Sequence, residues 1–122
     1  IPLTRRTKIS AILALVGDKT LKDVCIPGSH DAGMSVRNTG TAFGDLCNTA
    51  TQSKDIKEQL QLGARYFDIR PVISGGKYYT GHYSKVGAID SWQGANGQSI
   101  EDIFNDINDF TSSYIELIII KL

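Results

Sequence analysis

The residues best suited to acid–base chemistry stand next to glycines or at the ends of strand-like runs. His30 and Asp31 stand in IPGSHDAGM, Asp68 and Arg70 in ARYFDIRP, and His82, the second of two histidines, in YYTGHYS. Histidine can take up or give a proton near neutral pH, and an arginine fork matches phosphoryl oxygens. A carboxylate can hold an imidazole in one tautomer. These residues predict acid–base phosphoryl transfer without a covalent intermediate or a required metal. The alternative is that the two histidines, if they lie at the same edge of the fold, bind a metal.

The elements that must position these residues alternate between helix and strand. Apolar spacing predicts helices over 7–17, 53–63 and 97–114, and strands over 20–27, 64–73 and 116–122. Gly75 and Gly76 predict a hairpin turn, and the residues at 93–98 a loop leading to an N-cap at Ser99. Such alternation is typical of an α/β fold with parallel strands and helical crossovers. Because these folds carry their chemistry at the carboxyl ends of the strands, we expect the candidate residues on one rim.

Composition excludes some functions. Lysine plus arginine is 13 and aspartate plus glutamate is 13, and there is no basic run, so nucleic acid is not an expected partner. The apolar run at 117–120 is too short to span a bilayer. The first residue is Ile1, which suggests either a removed leader and secretion or a piece of a longer chain. With secretion, Cys25 and Cys47 are expected to form a disulfide; two reduced thiols are the alternative.

Four segments in order, IPGSHDAGM, TQSKDIKEQLQLGARYFDIRP, YYTGHYS and SIEDIFNDINDFTSSYIELIIIKL, resemble the N-terminal catalytic half of the phosphatidylinositol-specific phospholipase C family. The similarity runs from about residue 22 to the end and is greatest to the bacterial and fungal, calcium-independent type. It implies a TIM-like (β/α) barrel, a lyase or hydrolase of lipid phosphodiesters, and no cofactor or metal. His30 would be the general base on the inositol 2-hydroxyl and His82 the general acid on the diacylglycerol oxygen. Arg70 would stabilise the phosphate, with Asp31, directly after His30, and Asp68 as supporting carboxylates.

The resemblance also implies an incomplete domain. A full barrel needs eight strands and about 250 residues, whereas three strands are predicted here. We therefore expect residues 1–122 to be the N-terminal part of one barrel domain, completed by another chain or segment. The family's carboxylate that orients the first histidine would lie in that missing part.

Two further interpretations stay open. A carbohydrate-binding protein could use the same barrel with weak or no catalysis. A metal-dependent relative is disfavoured by Arg70, which stands where a carboxylate would be needed. Aromatic residues near the rim could contact a sugar ring or, transiently, a membrane surface. The candidates are Tyr78, Tyr79, Tyr83 and Trp92. Of these, Tyr83 and Trp92 are predicted to bind substrate.

Overall fold

The structure is a computed structural model that describes residues 17–122. The helix predicted over residues 7–17 lies, apart from its last residue, outside the described part. The described chain contains three α-helices, α1 (Leu46–Thr49), α2 (Ile56–Leu62) and α3 (Ile100–Ser113). Its six strands are β1 (Gly28–Ser29), β2 (Tyr66–Asp68), β3 (Pro71–Ser74), β4 (Lys77–Val86), β5 (Ser91–Ser99) and β6 (Ile119–Lys121). Short 3-10 helices span Leu21–Asp23 and Gly87–Ile89.

The first sheet is parallel, as predicted, with the order β1-β2-β6. Its register places Phe67 between Ser29 and Ile120, and Asp68 beside Lys121. The strand predicted over 20–27 is wrong. That stretch begins with a 3-10 turn, and pairing starts only at Gly28. Pro27 has no N–H to give to a ladder, but its carbonyl accepts from the backbone N–H groups of both Arg65 and Tyr66 and so anchors β1 to β2.

One face of the parallel sheet forms the core with α2 and α3. Its buried apolar side chains are Ala32, Ile56, Leu60, Phe67, Ile69, Ile103 and Ile107. Helix α2 begins at a capping box between Asp55 and Glu58 and ends at Gly63, whose φ of 108° is left-handed. Ser99 caps α3 by accepting a hydrogen bond from the Asp102 N–H. The helices predicted over 53–63 and 97–114 are confirmed, with the stop at Gly63 and the N-cap at Ser99.

The second sheet is antiparallel, with the order β3-β4-β5. Gly75 and Gly76 both have positive φ and connect β3 to β4, as predicted. The predicted strand over 64–73 is not one strand: it leaves the first sheet after Asp68 and enters the second at Pro71. The expected loop over 93–98 is part of β5. Gly94 is required there because a Cβ would collide with the His82 carbonyl on the neighbouring strand.

The long loop that follows β1 pairs with the edge of β5 that does not face β4. The N–H groups of Asn38 and Thr41 donate to the carbonyls of Asn96 and Gly94, and the Asn96 N–H donates to Thr39. This pairing fixes the position of the loop and protects the sheet edge.

The expected disulfide is absent. Cys25 and Cys47 are both exposed free thiols. Cys25 leads into the parallel sheet, whereas Cys47 lies in α1, which packs against β5 of the antiparallel sheet. Residues 17–122 contain no helix long and apolar enough to cross a membrane. The two sheets of this part of the chain do not close into a barrel.

Candidate active site

His30 lies just past the carboxyl end of β1, and Asp68 ends the adjacent strand β2. The Nδ1 atom of His30 is 2.8 Å from Oδ2 of Asp68. The His30 side chain is 67% exposed, and the Asp68 side chain is 12% exposed. A carboxylate at this distance accepts a hydrogen bond from Nδ1–H, which leaves the lone pair on Nε2 as the position that can take a proton.

Asp31 is almost fully buried and adopts a left-handed backbone with φ 46°. Its carbonyl accepts hydrogen bonds from the Met34 N–H and the Thr51 hydroxyl. Non-glycine residues seldom adopt this conformation, so the surrounding structure must hold it. This conformation directs the Asp31 carboxylate towards His82 and Arg70.

Asp31 was expected to assist its neighbour His30, but the structure pairs it more closely with His82. Its Oδ2 is 2.9 Å from Nδ1 of His82 and 3.5 Å from Nε2 of His30. His82 lies within β4 rather than beyond a strand, and its side chain is 29% exposed. Each histidine therefore has its own carboxylate: Asp68 for His30 and Asp31 for His82.

Arg70 connects the two histidine–carboxylate pairs. Its Nε is 2.9 Å from Asp31 Oδ1, and its Nη2 is 3.3 Å from His30 Nε2 and 3.9 Å from Asp68 Oδ2. Half of the side chain is exposed. The guanidinium thus has Nε beside Asp31 and Nη2 beside His30, and because half of the side chain is exposed, an anion could reach it.

Lys121 is a residue of this cluster that sequence reasoning missed. It pairs with Asp68 in the register of β6 and β2, and its Nζ is 3.1 Å from Asp68 Oδ1. The hydrogen bond from Lys121 and, to a smaller extent, that from His30 lower the pKa of the Asp68 carboxyl, whereas burial raises it. The available signal was a single charge at the carboxyl end of an otherwise apolar strand.

A pocket of about 340 Å³ opens beside these groups. It is lined by Gly28, Ser29, His30, Tyr66, Asp68 and Lys121. The side chains of Tyr66 and Asp68 lie on the face of β2 opposite the buried Phe67, so the pocket is on the side of the sheet that the helices do not cover.

His30, Asp31 and Asp68 also offer ligand atoms within 4.8 Å of one another, the spacing of a metal site. Both carboxylates already face a cation, Arg70 for Asp31 and Lys121 for Asp68. A divalent ion at these atoms would lie next to the positive charges of Arg70 and Lys121, which disfavours it. The donor set therefore fits anion binding by Arg70 and Lys121 better than metal binding.

Comparisons with known proteins place this geometry in context. A PI-PLC X domain-containing protein of Dictyostelium discoideum is 35% identical over 82 residues, which cover 55% of this chain and 14% of that protein. The solved structure of S. aureus phosphatidylinositol-specific phospholipase C matches with a TM-score of 0.62 and 24% identity, covering 89% of this chain and 33% of that chain. No family model matches.

The chain is similar to proteins of the PI-PLC X-domain family. The resemblance expected from the sequence motifs is confirmed. The structural likeness supports the predicted α/β class, while the described residues form an open arrangement of two sheets. The chain spans about a seventh of the length of the curated relative and a third of the solved chain.

In this chain the aromatic candidates lie apart from the five clustered residues. The Tyr83 hydroxyl donates to Asn96 Oδ1 at 2.8 Å, and burial raises the pKa of its phenol. Trp92 pairs with Lys85 and is 62% exposed. Because side chains alternate between the two faces along a strand, Tyr83 and Trp92 lie on the face of the β4–β5 ribbon opposite His82. The structure thus brings His30, Asp31, Asp68, Arg70 and His82 together, but not Tyr83 or Trp92.

Proposed function

We propose that this site cleaves phosphatidylinositol-type lipid phosphodiesters by general acid–base catalysis without a metal. The observation that carries the proposal is the arrangement of two histidines, each with its own carboxylate, on either side of Arg70. The names of the relatives, a PI-PLC X domain-containing protein and a phosphatidylinositol-specific phospholipase C, support the substrate class.

In the proposed first step His30 acts as the base. Its Nε2 takes the proton from the inositol 2-hydroxyl, whose oxygen attacks phosphorus. Asp68 accepts the hydrogen bond from Nδ1–H and balances the positive charge that develops on the ring. For this step Arg70 moves from His30 Nε2 to a phosphoryl oxygen, where it stabilises the growing negative charge.

His82 acts as the acid in the same step. As the bond from phosphorus to the diacylglycerol oxygen breaks, protonated His82 gives that oxygen a proton, and Asp31 keeps the hydrogen bond to Nδ1. The products are a cyclic inositol phosphate and diacylglycerol. Water can then open the cyclic product with the two histidines in exchanged roles, which gives the hydrolase reaction.

We further propose that another segment or chain completes the barrel over the uncovered face of the parallel sheet. Strands β1 and β6 each have one unpaired edge among the described residues, and the pocket face carries no helix. Asp68 already fills the orienting position at His30 that was expected from the missing part. The carbohydrate-binding alternative is not favoured, because neither relative is named for it.

The test is release of cyclic inositol phosphate from phosphatidylinositol by the full-length protein, with and without EDTA. We expect activity that survives chelation and falls by at least about a hundredfold in His30→Ala and in His82→Ala. Lys57→Ala, which removes a surface ion pair on α2, is the control and should retain activity. Absence of release by a folded protein, or loss of release on chelation, would contradict the proposal.

A further inference from the structure

The loop over residues 30–34, which carries His30 and Asp31, is held in place through its backbone carbonyl groups. Each of its five carbonyls accepts a hydrogen bond from a residue outside the loop. The donors are Thr51, Gln52, Gln59, Thr80 and Gln98. Because the side chains of His30 and Asp31 start from this backbone, these donors determine where the two side chains can lie.

Thr51 and Gln52, which precede helix α2, hold three of the five carbonyls, and we define them as the loop clamp. Both backbone N–H groups donate to the Met34 carbonyl, at 3.1 and 3.4 Å. The two side chains then diverge. The Thr51 hydroxyl donates to the Asp31 carbonyl at 3.0 Å, and Gln52 Nε2 donates to the His30 carbonyl at 2.7 Å. One dipeptide thus holds both residues through different atoms.

His30 depends on such contacts for its position. Its side chain is 67% exposed, so packing does little to orient it. Asp68 holds the ring at Nδ1, and Gln52 holds the backbone of the same residue. With both ends fixed, Nε2 has a defined place relative to a bound hydroxyl. Proton transfer depends steeply on this placement, since a shift of about 1 Å can cost about a hundredfold in rate.

From these contacts we infer that Gln52 is a positioning residue for His30, and that Thr51 is a positioning residue for Asp31, the carboxylate bound to His82. The inference rests on the proposed function, since the roles of base and acid come from it. Gln52 acts on the base through the His30 backbone, and Thr51 acts on the acid through Asp31. Loss of one contact therefore disturbs one proton transfer more than the other.

Gln52→Met tests the first contact, because methionine keeps the length of the side chain and lacks the amide donor. On a soluble short-chain phosphatidylinositol we expect kcat to fall about tenfold with KM unchanged. The thermal midpoint should change little, since the contact is exposed and water can replace the amide. Gln52→Glu also lacks the donor and should lose at least as much. Gln61→Met, at an exposed glutamine of α2, is the control and should keep full kcat.

Two results of this experiment overturn the inference. An unchanged kcat in Gln52→Met would mean that the contact does not position His30. A raised KM with unchanged kcat would mean that Gln52 contacts the substrate and does not act through His30.

A substrate that leaves without a proton separates the two halves of the loop clamp. Nitrophenolate is a stable anion, so inositol 4-nitrophenyl phosphate needs the base but has little need of the acid. Gln52→Met should therefore lose the same factor on this compound as on the lipid. Thr51→Val, which removes the hydroxyl and keeps the shape, should lose about fivefold more activity on the lipid. Thr111→Val removes a hydroxyl bonded to the Ile107 carbonyl on α3 and should lose nothing on either substrate. The same ratio for Gln52→Met and Thr51→Val would overturn the separate roles.

NMR of the imidazole groups tests the loop clamp without catalysis. In the full-length protein with Gln52→Met, the ring ¹⁵N and Nδ1–H signals of His30 should shift and broaden, while those of His82 stay as in the wild type. Unchanged His30 signals would overturn the role of Gln52. If the wild type cleaves neither substrate, the proposed function fails, and the NMR spectra still decide whether Gln52 holds His30.

Discussion

Asp31 and His82 form a hydrogen-bonded pair that joins the two sheets. The carboxylate follows β1 of the parallel sheet, the imidazole stands on β4 of the antiparallel sheet, and Oδ2 lies 2.9 Å from Nδ1. Because Asp31 is buried and also faces Arg70, it fixes the histidine and the arginine relative to one another.

Replacing Asp31 by asparagine tests this role. Asparagine tolerates the left-handed backbone at this position, so Asp31→Asn removes the charge with little conformational cost. We expect cleavage of a soluble short-chain substrate to fall about a hundredfold or more, with the thermal midpoint nearly unchanged. Asp90→Asn is the matched control at the other left-handed aspartate and should keep full activity on that substrate. Equal rates for the two variants would contradict the role of Asp31.

Lys121→Met tests the electrostatics at Asp68. Since Lys121 is the main cause of the lowered pKa of Asp68, its removal should raise that pKa toward the ordinary carboxyl value. Asp68 must be ionised to accept from His30, so the acid limb of the pH–rate profile should move to higher pH. Any stability that ionised Asp68 contributes is present above its unfolded pKa and disappears as pH falls through the folded pKa. In the variant this contribution should be smaller, and its loss should be complete at a higher pH.

Carboxyl NMR titration of Asp68 and pH profiles of kcat/KM measure the effect of Lys121→Met. Lys54→Met is the control: Lys54 lowers the pKa of Glu58 on α2 and should leave the titration of Asp68 as it is. An unchanged Asp68 titration in Lys121→Met would show that the contact with Lys121 has no electrostatic effect.

Arg65 and Glu116 form a buried ion pair at the end of the parallel sheet opposite the site. Arg65 Nε donates to Glu116 at 2.5 Å, its Nη1 donates to the carbonyls of Leu60 and Ala64, and the guanidinium lies over the Phe110 ring. We expect Arg65→Met to lower the free energy of unfolding by about 3–5 kcal/mol, because it leaves a buried carboxylate unpaired. The double variant Arg65→Met/Glu116→Leu should be more stable than the single one in urea denaturation. A double variant less stable than either single one would refute this explanation.

The β3–β4 turn requires glycine for conformational reasons. Gly76 has φ 74°, and a side-chain methyl group at this position would meet no neighbouring atom, so Gly76→Ala should cost about 1 kcal/mol through backbone strain alone. Gly87→Ala is the comparison, since Gly87 has equally open surroundings without a positive φ. Thermal unfolding of the two variants decides: equal midpoints would mean that the left-handed conformation is not strained by alanine.

Local signals predicted helices α2 and α3 and the β3–β4 turn well. The cap at Ser99, the left-handed stop at Gly63 and the Gly75–Gly76 pair each act within a few residues, so the sequence around them is sufficient. The parallel order of the first sheet followed from alternation, and the clustering of His30, Asp68 and Arg70 followed from their positions at the ends of predicted strands, whereas His82 lies within β4.

Non-local packing explains what the sequence did not reveal. The division of residues 64–73 between two sheets depends on partners far along the chain, since Asp68 pairs with Lys121 and Pro71 with Thr80. The composition of residues 93–98 predicts a loop. They form a strand because Gly94 lets the backbone of β5 approach the His82 carbonyl closely. The pairing of Asp31 with His82 was also hidden, because adjacency in sequence suggested that Asp31 serves His30.

The short passage from Asp68 to Pro71 has an evolutionary consequence. The antiparallel sheet is inserted between β2 and α3, and β6 still pairs directly with β2. The hairpin could therefore gain or lose residues at its far end without changing the register of the parallel strands or the distance between Asp68 and His30. A lineage could in this way adapt the protein to a new surface while the proton-transfer groups are inherited unaltered.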